Sequence, residues 1–150
     1  MPLVESYTLR EVRAAVLAAL TTGLGASEVT QTPPDPMAVE PDTAATAGVA
    51  VGILRATYQW PDGRLAAQPV DLGASVDVLV RRYLRAAAGG RGATYDVALD
   101  HAQRVAGLIH GAAPGLRVVS TESAIAWAGE WVQVDVTARL VHRTPLGLSS

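Results

Sequence analysis

The stretch WVQVDVTARLVHR, residues 131 to 143, alternates almost without a break, with Val132, Val134, Val136, Ala138 and Leu140 on one parity and Gln133, Asp135, Thr137 and Arg139 on the other. A repeat of two is the repeat of an extended strand, whose successive side chains point to opposite faces. One face must therefore meet a core and the other must stay wet. This is the pattern of an antiparallel sheet covered on one side. A chain built around such a strand needs partners for its backbone and a lid for its apolar face.

The partners are visible elsewhere. In ASVDVLVRRYL, residues 74 to 84, Val76, Val78 and Val80 alternate with Asp77, Leu79 and Arg81, which predicts a second half-buried strand. VAVGILRATYQW, residues 49 to 60, is rich in β-branched and aromatic residues and ends on the turn residues Pro61, Asp62 and Gly63. Leu116 to Ile125 reads as a further strand, and Gly129 to Trp131 as the hairpin turn before the last one.

Two helices supply the lid. In TLREVRAAVLAAL, Thr8 and Glu11 have the spacing of a capping box, Leu9, Val12, Val16 and Leu20 form one apolar stripe, and Gly23 and Gly25 are available to end the helix. A second helix is predicted from about Tyr95 to His110. Thr94 is its expected cap, Asp96 lies in its first turn and Gly111 closes it. Its core face holds Ala98, Ala102, Val105, Ala106 and Ile109, and Asp100 and Arg104 are spaced as an i,i+4 ion pair.

Residues 30 to 48 carry four prolines, no aromatic residue and no periodicity, which predicts an extended loop or arm. At 150 residues the chain is sized for one domain, residues 1 to 150. The expected fold is α+β: an antiparallel or mixed sheet of four or more strands, two helices packed on one face, and a long Pro-rich arm.

Composition limits the chemistry. The chain has no cysteine, and all 12 of its basic residues are arginine. Thiolate metal sites and cysteine nucleophiles are thereby excluded, as are the phosphate lysine of a P-loop and a Schiff-base lysine. A net charge of −2 gives no whole-chain attraction to nucleic acid. The opening MPLVESYTLREV lacks the basic-then-apolar pattern of a signal peptide, and no apolar run approaches the roughly 20 residues of a membrane span. The expectation is a soluble chain with no membrane partner, made in the cytoplasm.

Several motifs were candidates for chemistry. Gly89, Gly90 and Gly92 precede a helix as in a phosphate cradle, but the third glycine of a dinucleotide fingerprint is replaced by Tyr95. They read instead as a pliable connection. His101, His110 and His142 lack metal-ligand spacing and read as surface or rim residues. Ser120, Glu122 and Ser123 sit outside any nucleophile elbow. No catalytic residue, cofactor or metal site is assigned. A dense basic cluster remains, Arg81, Arg82, Arg85 and Arg91, which reads either as a solvated strand end balanced by Asp77 or as a contact for a partner. Trp60, Trp127 and Trp131 divide evenly between core and interface roles.

The N-terminal amphipathic helix TLREVRAAVLAAL, the strand VDVLVRRYL leading into the helix YDVALDHAQRVAGLIHG, and the closing strands LRVVSTESAI and WVQVDVTARLVHR together resemble the tail terminator proteins of long-tailed bacteriophages and the related minor tail and tail-completion proteins. The resemblance spans about residues 8 to 22 and 74 to 143, with 49 to 60 compatible, and rests on pattern rather than on a short diagnostic motif. It implies a non-enzymatic virion protein at the head–tail junction. Such a protein forms a homo-oligomeric ring, expected to be a hexamer, that caps the tail tube and offers a docking surface to the head. Its implied partners are the major tail tube protein, head–tail connector proteins, and DNA passing through the lumen without sequence-specific contact. The candidate interface comprises Arg81, Arg82, Arg85, Arg91, Trp60 and, on the arm, Pro33, Pro34 and Pro36. The arm and the segment PDGRLAAQPVDLG have no counterpart in that pattern. The alternatives are an adaptor on the portal side and, from another class, a small ligand-binding or hydrolase domain using Ser120, Glu122 or a histidine.

Overall fold

A computed structural model describes residues 6–25, 48–59, 72–85 and 90–145. The elements run α1 (Leu9–Leu24), β1 (Ala50–Gln59), β2 (Leu72–Arg85), α2 (Arg91–Ile109), β3 (Arg117–Ala128) and β4 (Trp131–Thr144). The four strands form one sheet in the order β1-β2-β4-β3, and all three pairings are antiparallel. The fold is therefore α+β, with the sheet antiparallel throughout. The arm, with Pro33, Pro34 and Pro36, and Trp60 lie outside the described residues.

The central ladder pairs β2 with β4 from Leu72–Thr144 to Arg85–Trp131 in one unbroken register. Because both strands alternate and the register joins like parities, Val76, Val78 and Val80 lie on the same face as Leu140, Ala138 and Val136. Val12, Val16 and Leu20 of α1 and Ala98, Val105 and Ile109 of α2 close over that face, all fully buried. Burying such side chains contributes about 1.5–3 kcal/mol each relative to exposure, so this one face carries most of the driving force for folding.

Local chemistry explains the helix ends. The predicted capping box is present: the Glu11 amide donates to Thr8 Oγ1 (3.2 Å) and the Thr8 amide donates to Glu11 Oε1 (3.0 Å). The Thr8 backbone bond, and after it the Thr8 side chain, hold the Glu11 carboxyl below its ordinary pKa. The stability it contributes is present above the usual carboxylate range and is lost as pH falls through the depressed value. Gly25 ends α1 at φ 91, whereas Gly23 stays helical and brings the helix against Leu108, whose side chain would clash with a Cβ at that position. Arg13 Nε donates to the Val51 carbonyl (2.6 Å) and ties α1 to β1.

Helix α2 departs from its sequence expectation. It begins at Arg91, four residues before Tyr95, and its N-cap is Gly90 at φ 97 and ψ 178 with no side-chain cap. That conformation is open essentially to glycine alone. Once Gly90 turns the chain, Gly92 and Ala93 enter the helix. Thr94 does not cap; its hydroxyl donates back to the Gly90 carbonyl (3.2 Å), as an interior helical threonine does. Asp96 consequently falls outside the first turn, which holds no acidic residue. Asp100 and Arg104 form no ion pair either. Arg104 Nη2 donates to the Gly23 carbonyl (2.5 Å) at the C-terminus of α1, where orphan carbonyls and the helix dipole favour a cation.

The β3–β4 hairpin is closed by two residues: Ala128 pairs with Trp131, Gly129 has φ 64, and no non-glycine residue among those described has positive φ. Positive then negative φ is the sign pattern of a type II′ turn, whose twist matches the strands.

The glycines before α2 separate in a measurable way. An added Cβ meets nothing within 4 Å at Gly92 or at Gly90, but only Gly90 has positive φ. Gly92→Ala is expected to stabilise the protein by about 0.5–1 kcal/mol, through helix propensity and a less flexible unfolded chain. Gly90→Ala is expected to destabilise it by about 1–3 kcal/mol. Urea midpoints that move in the same direction for both variants would contradict this account of the helix start.

Candidate interaction surfaces

The four clustered arginines do not form one patch, because consecutive residues on a strand face opposite ways. Arg81 lies on the helix-free face, where its guanidinium holds Asp135 with Nε–Oδ1 at 2.7 Å and Nη2–Oδ2 at 2.9 Å. That hydrogen bond, more than any other influence, raises the Arg81 pKa above its ordinary value, so the group remains charged. Gln133 Nε2 also donates to Asp135 (2.9 Å), and the Tyr83 hydroxyl donates to Gln133 (3.1 Å). Arg139 forms the second pair on this face, to Asp77 at 3.0 Å.

This face is drier than the alternation predicts. Gln133, Asp135 and Thr137 are half-buried, and Leu79 and Tyr83 of β2 are buried outright. The register gives a reason. Leu79 sits opposite Gly52 and Thr137, flanked along the strands by the Asp77–Arg139 and Arg81–Asp135 pairs. Long charged side chains laid across the sheet cover apolar surface while their tips pair. The expected balance by Asp77 is not found: Asp77 pairs with Arg139, and Arg81, largely buried, pairs with Asp135.

Arg82 lies on the opposite, helix-covered face, beyond the end of the apolar core. Its Nη1 is 3.5 Å from His101 Nδ1. With Asp100, Arg104 and Val97 these groups line a small cleft of about 190 Å³ between the end of β2, α2 and the end of α1. His101 is 8% exposed and His142 is 6% exposed, so two of the three histidines are not the surface or rim residues expected. His101 falls on the core stripe of α2 with Ala98, Ala102 and Val105, and His142 continues the buried parity of β4. The His142 ring lies edge-on to Tyr7, and its Nδ1 is 3.0 Å from the Arg143 carbonyl. A carbonyl only accepts, so Nδ1 carries the proton.

Arg85 and Arg91 converge from different elements on the β3–β4 hairpin. The Arg85 guanidinium lies 5.9 Å from the Trp131 ring centre and 3.5 Å from Glu130, and the Arg91 guanidinium stands 4.7 Å over Trp127. Trp127 and Trp131 are both half-buried, and Arg85 and Arg91 are exposed. Two cations on two indoles thus form the chemically distinctive end of the sheet. Of the candidate interface residues that are described, Arg85 and Arg91 are the exposed ones. Arg81 is committed to the outer face, and Arg82 to the cleft.

The residues considered for hydrolysis are not brought together. Ser120 and Glu122 are exposed on the helix-free face of β3, by register with Arg139 and Thr137, while Ser123 lies on the other face. His101 and His142 belong to the helix-covered side, and His110 is the C-cap of α2. Among the described residues no three acidic or histidine side chains gather as metal ligands. Neither a family model nor a curated protein matches the chain.

The arginines should sort by their roles. Asp135→Ala or Arg81→Ala is expected to cost about 1–3 kcal/mol, because each leaves a charged or polar partner unsatisfied at a largely buried position. The double variant should show a coupling of about 0.5 kcal/mol or more. Arg85→Ala and Arg91→Ala should each change stability by less than about 1 kcal/mol, the scale of an exposed cation–π contact. Denaturant unfolding of the five variants beside the wild type measures all of this, and additive losses at Arg81 and Asp135 would contradict the network.

Proposed function

We propose that this chain is a structural subunit of a ring that caps the tail tube of a long-tailed bacteriophage, ends its elongation and offers the head its joining surface. One observation carries the reading. The order α1, β1, β2, α2, β3, β4 has the N-terminal amphipathic helix, the strand running into a helix and the closing strand pair on which the resemblance to tail terminator proteins rests. The surface supports it in kind. The Arg85, Arg91, Trp127 and Trp131 end has the composition that protein partners favour, aromatic and arginine anchors at the β3–β4 hairpin.

On this reading the work done is assembly. The ring is a homo-oligomer, expected to be a hexamer, set at the head–tail junction. Its axial faces meet the tube protein on one side and connector proteins on the other. DNA crosses the lumen and is not read in sequence. No helix among the described residues is long and apolar enough to cross a membrane.

Native mass measurement and negative-stain electron microscopy of the purified protein are expected to give a closed ring. Adding that ring to growing tail tubes should arrest their lengthening and leave it on one tube end. A ring that binds a portal assembly and ignores tubes would reassign the protein to the portal-side adaptor role. A strictly monomeric protein that binds neither would overturn the proposal.

A further inference from the structure

Among the described residues the sheet has four strands, an even number. Along β1-β2-β4-β3 the chain direction reverses at every step, so the two edge strands run in opposite directions. A second copy set beside the first in the same orientation presents its β1 to β3, and that new pair is antiparallel without any rotation. An odd-stranded sheet would meet its copy in parallel. Both edges are long, ten residues in β1 and twelve in β3, and neither contains proline, whose missing N–H would interrupt pairing.

Each edge is interrupted by one bulge, between Ile53 and Arg55 and between Val118 and Ser120, and each bulge turns out an apolar side chain, Leu54 at 47% and Val119 at 54% exposure. The charges at the two edges are opposite. Arg55 on β1 and Glu122 on β3 are exposed, both lie on the helix-free face by register with Asp77 and Thr137, and neither forms an ion pair among the described residues. Placing Arg55 opposite Glu122 in an antiparallel ladder sets Ala56 opposite Thr121 on the helix side and Thr57 opposite Ser120 on the other, so face parity is preserved. The Val51 carbonyl is already taken by Arg13, which confines the ladder to the half of β1 from Leu54 to Gln59.

The helix layer has a matching gap. Within one copy α1 lies over β1 and α2 over β4 and the near side of β3. Beyond α2 the helix-side residues Thr121 and Ser123 of β3 are exposed, and an open groove of about 460 Å³ runs between α2 and β3, lined by Tyr95, Leu99, Gln103, Ser123 and Ile125. Tyr95 and Leu99 are 44% and 43% exposed. The α1 of an incoming copy, carried on its own β1, arrives beside this groove and continues the layer.

We propose that a second copy of the chain docks head to tail on the β3 edge, pairing residues 54–59 of its β1 with β3 and setting its Arg55 against Glu122. The two sides of the contact are different surfaces, so each copy retains a free edge for the next, and the arrangement closes as a ring once the rotation per copy completes a circle. This rests on the ring reading above and names its lateral interface.

Charge reversal tests it. Arg55→Glu and Glu122→Arg each place like charges across every lateral contact, and each variant alone is expected to run as single copies at concentrations where the wild type is a ring. Mixing the two variants should restore rings of alternating copies, because each contact then joins opposite charges again. Loss through misfolding would not be rescued by mixing. As a second measurement, Thr57→Cys with Ser120→Cys in one chain that has no other cysteine should give a ladder of disulfide-linked copies on oxidation. The two positions lie on opposite edges of the same sheet, three strand spacings or roughly 14 Å apart, too far for a bridge within one copy. A wild-type ring that survives both reversals and yields no cross-linked ladder overturns this interface and leaves the ring reading standing. A wild type that is monomeric overturns both.

Discussion

The unbroken antiparallel ladder between β2 and β4 is the constraint on which the rest of the molecule depends. All fourteen residues of each strand find a partner in the other, and the register joins like parities. That single match makes one continuous apolar face from two alternating sequences. A slip of one residue would send Val76, Val78 and Val80 to the charged side and leave α1 and α2 with nothing to cover. The helices follow from the ladder, since their stripes have one apolar surface wide enough to receive them. The edges follow too, because a two-strand centre with one strand added on either side leaves β1 and β3 outermost.

The same parity rule governs the charges. Arg81 and Arg82 are adjacent in the chain and end on opposite faces, one holding Asp135 and the other beside His101. A cluster of arginines in a strand is therefore two half-clusters, and its charge density in the sequence overstates its density in space. Arg85 and Arg91 belong together for a different reason. The end of β2 and the start of α2 both reach the β3–β4 hairpin, and each guanidinium settles on one of its tryptophans. On the helix-free face the Arg81–Asp135 and Asp77–Arg139 pairs and the Tyr83–Gln133 bond lie around Leu79 and Tyr83.

Much of this was legible in the sequence where a local rule decides the outcome. Val132 to Leu140, the Thr8–Glu11 capping box, Gly111 and the hairpin at Gly129 depend on residues within one turn or one strand, and their chemistry is written side by side. The misreadings arise where a distant group decides. Thr94 looks like a cap until Gly90 is seen to start the helix earlier, in a conformation open essentially to glycine. Arg104 matches an i,i+4 partner in Asp100, but a carbonyl of α1, 81 residues away, offers it a better site. His101 and His142 are polar, so they read as rim residues, although the 3.6 and 2.0 periodicities of their own elements place both on the buried side. That signal was present and was outweighed by residue type. The Arg81–Asp135–Gln133–Tyr83 network had no such signal, because it requires knowing that β2 pairs with β4 and in which register.

A ring subunit needs two kinds of surface at right angles, lateral ones to meet its copies and axial ones to meet other proteins, and the sheet separates these by geometry. On the proposed reading, lateral contact would belong to the long sides of β1 and β3, where backbone donors and acceptors give affinity and only a few side chains, Arg55, Glu122, Leu54 and Val119, need to match, and axial contact to the strand ends. At one end stand Arg85, Arg91, Trp127 and Trp131, anchors suited to binding a protein of different sequence. At the other, the Tyr7 amide donates to the Arg143 carbonyl (2.7 Å) and the Tyr7 hydroxyl bonds the Pro114 carbonyl, which draws the chain before α1 and the loop after α2 onto the end of β4. The two ends thus differ in chemistry: one is a pair of cation-capped indoles, the other a backbone-stitched corner. On the proposed reading this asymmetry is what an end-capping ring requires. Copies related by rotation about the ring axis all present the same end to the same side, so the difference between the two ends of one sheet becomes the difference between the two faces of the ring.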